Sequence, residues 1–238
     1  MKKIIHSIAL IFAIIFSPIS IYASTADELL QSGISKKNLQ DYMGALQDFN
    51  KAVLLKPGFE IFVNRADVLY NLANYSDAAR SYTYALEINP NDKDAYLNRG
   101  KALYATGDHK AAIKDFNKVI ELDAANAEAY YYQGLCKKIT TAYDDAVKSY
   151  DKTIELQPNN AEAYNARAIA KYFVGDETGA MQDFDKSIEL KQDYADAYFN
   201  RANCKYFIND LAEACTDWSK ASELKYAEAD TYIKKYCK

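Results

Sequence analysis

The chain carries short apolar stripes at helical spacing, separated by short polar breaks. One representative stretch contains two such stripes, marked by Tyr96, Gly100, Leu103, Ala112, Phe116 and Val119. Apolar or small residues three to four positions apart form one face of an α-helix. The Gly107-Asp108 pair between the stripes is typical of a turn. The pattern therefore predicts a helical hairpin, with one helix near 94–105 and a second near 110–122.

This hairpin pattern recurs along the chain with a period of 34 residues. The period is clearest in a series of tyrosines: Tyr96, Tyr130, Tyr164, Tyr198 and Tyr232. Small residues keep the same step, as Ala112, Ala146, Ala180 and Ala214 show. The repeat divides most of the chain into six units and a short tail: 26–58, 59–92, 93–126, 127–160, 161–194, 195–228 and 229–238. A single hairpin cannot bury both of its apolar faces, so the units must stack on one another.

The repeat resembles the tetratricopeptide repeat (TPR). The fifth unit shows the pattern well, with Tyr164, Ala168, Ala180 and Phe184 at the places where that family has an aromatic, a small residue, an alanine and a second aromatic. The resemblance implies an all-α fold, a right-handed superhelical solenoid of about six helix-turn-helix hairpins. The tail, 229–238, would form a C-terminal capping helix.

The N-terminus has the pattern of an export signal. Two lysines precede an apolar run at 4–16, Pro18 interrupts it, and Ala23 offers a small residue for cleavage. We therefore expect a signal peptide at 1–23 and a TPR domain at 24–238. The alternative is an uncleaved anchor, but the run is short of the roughly 20 apolar residues that span a bilayer. We expect no stable membrane span after cleavage.

Charge and composition restrict the classes of function. The formal net charge is −4, and loss of the two N-terminal lysines would leave 27 basic and 33 acidic side chains, a net of −6. An acidic chain without a basic cluster is a poor ligand for nucleic acid. The sequence contains no Gly-rich phosphate loop, no nucleophile elbow and no zinc-protease motif. We expect no enzymatic activity, no cofactor and no metal site.

In the family that the repeat resembles, first helices line a concave groove that holds peptides. The corresponding candidates for peptide binding are Asn64, Asn98, Lys101, Tyr131, Tyr132, Asn165, Asn200 and Asn203. An asparagine side chain offers two donors and an acceptor, which suits an extended peptide backbone. Tyr131 and Tyr132 are expected to anchor a partner rather than to fill the helical core. The alternative is that the asparagines only reflect the consensus of the repeat and that the groove binds nothing.

Pairs of residues at equal distances from a hairpin turn should face each other. This predicts structural ion pairs in three units, Arg99 with Asp115, Arg167 with Asp183, and Arg201 with Asp217. The fourth unit has Gln133 and Ser149 at the same two places.

The same reasoning about turn geometry makes Cys204 and Cys215 the first candidate for a disulfide. Cys215 with Cys237, between the last full unit and the tail, is the second candidate. Cys136 lies two units earlier and is expected to be free. The alternative is that all four are small apolar thiols that only fill space.

The sequence favours a non-enzymatic scaffold or adaptor in the cell envelope that binds a protein or an extended peptide in the concave groove. Two alternatives stay open, namely a secreted factor that engages host proteins and a hydrolase with an unrecognised site.

Overall fold

The computed structural model describes residues 18–237, with side chains from residue 25 onward. Within that range all regular secondary structure is α-helical. The helices are α1 Pro18–Asn38, α2 Tyr42–Leu55, α3 Phe59–Asn71, α4 Tyr75–Ile88, α5 Lys93–Ala105, α6 His109–Leu122, α7 Ala127–Ile139, α8 Tyr143–Leu156, α9 Ala161–Phe173, α10 Glu177–Leu190, α11 Ala195–Phe207, α12 Leu211–Glu223 and α13 Ala229–Tyr236. The predicted signal cleavage concerns a segment that lies largely outside the described residues, since only the backbone of 18–23 is described, within α1.

The predicted hairpins and the capping helix are confirmed. Each pair of consecutive helices packs closely within a unit, and α13 packs on α12. Short polar residues before most helices explain where they begin. For example, the Asp108 side chain accepts a hydrogen bond from the backbone N–H of Ala111 at the start of α6, and Asn160 caps α9 in the same way. Such caps satisfy backbone donors that have no partner inside the helix.

Each hairpin turn contains one residue with a left-handed backbone conformation. These residues occupy equivalent positions in the six units: Gln40, Ala73, Gly107, Thr141, Gly175 and Asn209. Glycine adopts this conformation without steric cost, whereas a residue with a β-carbon pays about 1–2 kcal/mol. Thr141, at φ 61°, is β-branched and is therefore the most strained of the six.

The core is a series of small apolar clusters between neighbouring helices. Each cluster is centred on a buried aromatic of a second helix, namely Phe49, Tyr82, Phe116, Tyr150, Phe184 and Trp218. Gly100 and Gly134 allow the ring opposite to lie directly against the first helix. A β-carbon at Gly100 would lie 2.7 Å from Phe116.

The stacking of units defines an inner and an outer side. Successive first helices contact one another along the stack, as α5 contacts α7 and α9 contacts α11. Second helices contact mainly the first helices of their own and the following unit. The more closely spaced first helices therefore form the inner, concave side of the right-handed superhelix, which we call the inner surface.

One of the two candidate disulfides is present. Cys215 and Cys237 are bonded, with their Cα atoms 5.7 Å apart, so α13 is covalently attached to α12. The first candidate, Cys204 with Cys215, is wrong. Although both residues are equally far from their turn, Cys204 points back into the cluster formed by Ala168 and the fifth unit, while Cys215 points forward to α13. Cys136 and Cys204 are free and buried.

Candidate protein-binding surface

A ladder of polar side chains, which we call the polar ladder, joins the units and fixes the framework of the inner surface. Its members lie at the seventh position of units two to six: Arg65, Arg99, Gln133, Arg167 and Arg201. Each of them bonds to the second helix of its own unit and to the second helix of the preceding unit. Sequence reasoning found the contact within the third, fifth and sixth units but missed the Arg65–Ser81 contact of the second unit and every contact between units.

The predicted arginine–aspartate pairs are confirmed in all three units. In the fifth unit Arg167 donates two hydrogen bonds to Asp183, both at 2.7 Å, and a third at 2.7 Å to Asp151 of the fourth unit. Bidentate pairs of this kind are the strongest charge-assisted hydrogen bonds. In the third unit the hydrogen bonds to Asp115 raise the pKa of the Arg99 guanidinium, although burial acts in the opposite direction.

The fourth unit replaces this ion pair with neutral groups. The Ser149 hydroxyl donates to Gln133 Oε1 at 2.6 Å, and Gln133 Nε2 donates to Asn117 Oδ1 at 2.6 Å. Lys137 donates to both Gln133 and Ser149, and burial lowers the pKa of its ammonium group. The geometry of the ladder is thus retained without a carboxylate.

The N-terminal half of the inner surface contains an open polar cavity of about 310 Å³. Its walls include Lys37, Asp67, Tyr70, Tyr82, Asn98 and Lys101. Two of the predicted residues, Asn98 and Lys101, therefore line the same cavity. Lys101 is held by an ion pair with Glu128 at 2.8 Å, while the Asn98 amide has no hydrogen-bond partner among residues 25–237.

Asn64 lies beside this cavity but is engaged within the chain. Its Oδ1 accepts a hydrogen bond from Lys37 Nζ at 2.6 Å, and its Nδ2 donates to the Glu60 carbonyl. Lys37 also forms an ion pair with Asp67 at 3.1 Å. A ligand would have to replace one of these contacts in order to use the Asn64 amide.

Tyr131 and Tyr132 both pack against core clusters, so the prediction that the helical core does not need them is wrong, whereas their role in peptide binding stays a prediction. Tyr131 packs on the cluster around Tyr150, with ring centroids 6.1 Å apart. Tyr132 stacks on Phe116 at 5.7 Å. Burial raises the pKa of both phenols. The two rings therefore stabilise the junction of units three to five, in addition to any contact with a ligand.

The asparagines of the C-terminal half are oriented by neighbouring side chains. Asn165 is buried, and its Oδ1 accepts a hydrogen bond from Asn200 Nδ2 at 3.2 Å. Asn203 Oδ1 accepts from the indole Nε1 of Trp218 at 3.0 Å. These amides were predicted as ligands for a peptide, but Asn165 and Asn203 also satisfy groups of the chain itself.

A second cavity, of about 200 Å³, lies between units five and six on the same surface. It is lined by Ile169, Tyr172, Phe173, Cys204 and Phe207, together with Asn200 and Asn203. Sequence reasoning missed the two phenylalanines, which are 56% and 65% exposed. A comparison of the thirteenth position across the units would have found them, because the first three units have Asn38, Asn71 and Ala105 there.

The fold, the repeat and the comparison with known proteins agree. A family model described as "Tetratricopeptide repeat" matches residues 63–128. The chain has the fold of a tetratricopeptide-repeat solenoid. TPR domains are protein-interaction scaffolds, and this chain has the architecture of one. A comparison with curated proteins gives no match.

Solved TPR structures superpose on most of the chain. The MamA protein is 25% identical, with 73% of this chain and 95% of that chain covered and a TM-score of 0.69. PilF of Pseudomonas aeruginosa is 16% identical, with 90% and 98% covered and a TM-score of 0.70. YrrB, described as a TPR protein with an unusual peptide-binding site, is 18% identical, with 75% and 96% covered and a TM-score of 0.67. At their identities, PilF and YrrB support the TPR fold and nothing further.

The described part of this TPR chain has neither a membrane-spanning helix nor a cluster of metal ligands. No helix there is long and apolar enough to cross a membrane. No group of three or more histidine, cysteine, aspartate or glutamate side chains there is placed to hold a metal ion.

Proposed function

We propose that this chain is an exported, non-enzymatic scaffold or adaptor of the cell envelope, which binds an extended segment of another protein along its inner surface. One observation carries the proposal. The inner surface has two cavities with amide groups in their walls, Asn98 in one and Asn200 and Asn203 in the other. Amides can pair with a peptide backbone without selecting its sequence, and cavities can accept its side chains.

The TPR architecture supports binding on this side of the molecule. The second helices and the polar ladder hold the units together, which leaves much of the first-helix surface open to a partner. The superposed protein YrrB is itself described as having a peptide-binding site. A rigid framework of this kind also reduces the entropy lost on binding.

The disulfide supports the proposal of export. Cys215 and Cys237 are bonded, and structural disulfides persist in oxidising compartments such as the bacterial periplasm but are rare in the cytosol. The basic and apolar pattern at the N-terminus is consistent with the same location.

Site-specific photo-crosslinking in the native host tests the binding surface. A photoreactive amino acid at Asn98 places the probe in the first cavity, and the same amino acid at Lys148, whose side chain is 74% exposed on a second helix, is the matched control. We expect an adduct with a partner protein from the Asn98 position and a much weaker one from the Lys148 position. Equal yields at both positions, or an adduct only from Lys148, would contradict binding on the inner surface.

A further inference from the structure

We infer that the cavity between units five and six is the anchoring site for one bulky apolar side chain of the bound peptide, and that the site prefers a basic residue next to it. This inference rests on the proposed function and specifies the chemistry of the ligand. It concerns the cavity lined by Ile169, Tyr172, Phe173, Cys204 and Phe207, which we call the anchor cavity.

The anchor cavity has the size and the walls that an aromatic or branched side chain requires. Its volume is about 200 Å³, and an apolar protein cavity of about 150 Å³ already accepts benzene. Five of its seven lining residues are apolar or aromatic. A ring that enters the cavity would cover Phe173 and Phe207, which solvent contacts in the free chain.

The hairpin does not require an aromatic ring at either of these two positions. Phe173 stacks on Tyr143 with ring centroids 4.6 Å apart, and Phe207 lies 6.3 Å from Tyr172, so both rings sit at the surface above the core clusters. The equivalent position carries asparagine or alanine in the first three units, and those units form the same hairpin. Exposed aromatics that the fold does not need, placed at the mouth of a cavity, are typical of a binding surface.

The two amides in the wall present one free acceptor and one free donor. The Asn200 Nδ2 group donates to Asn165, so its Oδ1 remains without a partner among the described residues. The Asn203 Oδ1 atom accepts from Trp218, so its Nδ2 remains without one in the same part of the chain. One acceptor and one donor match the N–H and C=O groups that an extended peptide presents beside a side chain.

The charges around the anchor cavity favour a cationic neighbour for the apolar side chain. The two nearby lysines both have carboxylate partners, since Lys171 pairs with Asp183 and Lys205 pairs with Asp217, each at 2.9 Å, and Lys205 also pairs with Glu213 at 3.0 Å. Glu177 is exposed and forms no ion pair among residues 25–237. Glu177 is the first residue of α10, four residues after Phe173 of the cavity wall, so an unpaired carboxylate lies beside the cavity. In agreement with this position, burial raises the pKa of the Cys204 thiol to about 12, and the charge of Glu177 adds to the rise.

Blocked synthetic nonapeptides test this inference on the purified full chain. Each has an acetylated N-terminus, an amidated C-terminus, a serine and glycine background and one central Phe, Leu or Ala, flanked either by two Lys or by two Glu. Affinity is measured by isothermal titration calorimetry. We expect binding in the order Phe, Leu, Ala, with the Lys-flanked form of each peptide binding more tightly.

The variant Phe207→Ala should weaken binding of the Lys-flanked Phe peptide by about tenfold or more, the loss typical of a central aromatic anchor. Its control is Ile139→Ala, which removes an apolar side chain of 47% exposure from the equivalent position of the fourth unit, outside the cavity. This control should bind as the parent chain does. Circular dichroism melting checks the fold of both variants, and the high exposure of Phe207 makes it a safe site to change.

Two results would overturn the inference, and only the second would also overturn the proposed function. Peptide binding that Phe207→Ala does not weaken, or that is equal for Phe and Ala peptides, would mean that the anchor cavity is not used, while the proposed function would stand. A chain that binds none of the peptides, and that also gives no adduct from the Asn98 photo-crosslinker, would reject both the inference and the proposed function.

Discussion

The polar ladder predicts a large loss of stability when one partner of its ion pair is removed. In the fifth unit Asp183 accepts hydrogen bonds from Arg167 and also pairs with Lys171 at 2.9 Å. The side chains of Asp183, Arg167 and Lys171 are only 6%, 16% and 19% exposed. The change Asp183→Ser therefore leaves two poorly solvated cations without their carboxylate. We expect it to lower the free energy of unfolding by about 3 kcal/mol, the low end of the range for broken buried pairs, because Arg167 keeps Asp151.

The fourth unit supplies a neutral replacement that isolates the cause of this loss. Gln133 and Ser149 occupy the places of Arg167 and Asp183 and hold each other at 2.6 Å. The double variant Arg167→Gln with Asp183→Ser copies this arrangement into the fifth unit. It removes one stranded cation and restores a hydrogen bond, which is worth about 1 kcal/mol net. We therefore expect the double variant to lose no more than about 1–2 kcal/mol, so that it is more stable than the single variant.

Urea unfolding followed by circular dichroism measures these differences, and the slope of each transition checks that the cooperative unit is unchanged. The control is Asp151→Ser, since that side chain is 52% exposed and exposed ion pairs contribute about 0–1 kcal/mol. The reasoning fails if Asp183→Ser costs less than about 1 kcal/mol, or if the double variant is less stable than the single variant.

Three further outcomes are expected. Thr141→Gly should raise the free energy of unfolding by about 1 kcal/mol in the same urea assay, and Gly107→Thr should lower it by at least as much, since both occupy the left-handed turn position; no gain from Thr141→Gly would contradict the strain argument. Burial raises the pKa of the Cys136 and Cys204 thiols to about 12, so Ellman's reagent at pH 8 should find no reactive thiol in the native chain, two after denaturation and four after reduction as well; four thiols without reduction would exclude the disulfide. N-terminal sequencing of exported material should begin at Ser24, and retention of the N-terminal segment would indicate a membrane tether instead.

The repeat made the architecture predictable from the sequence alone. A fixed period of 34 residues, with small and aromatic residues at constant places, determines where each hairpin begins and which faces must pack. The predicted Arg167–Asp183 contact followed from the same register, because residues equally far from a turn lie level with each other in an antiparallel pair. Its second contact, to Asp151 of the preceding unit, was missed because the register within one hairpin says nothing about the angle between hairpins.

The same limit explains the wrong cysteine pair. Cys204 and Cys215 are level with each other, but a helix has several faces, and the two side chains point to different neighbouring units. The distance from the turn determines how far along the hairpin a side chain lies. The direction in which the side chain points depends on how the units pack against one another. Tyr132 was assigned to a ligand for a related reason, since its packing partner Phe116 belongs to the preceding unit.

The two sides of the solenoid have different structural roles, and this difference explains why the repeat pattern predicted the fold but not the anchor cavity. The polar ladder and the buried second-helix aromatics hold the units together, so their positions must repeat. The thirteenth position of each unit is not part of this repeated packing. Its residue changes along the stack, from Ala105 in the third unit to Ile139, Phe173 and Phe207 in the next three. The 34-residue period identifies the residues that are the same in every unit, whereas the choice of ligand depends on the residues that differ between units. The anchor cavity is therefore recognisable only after the constant positions have been assigned and the differences have been placed side by side on the inner surface.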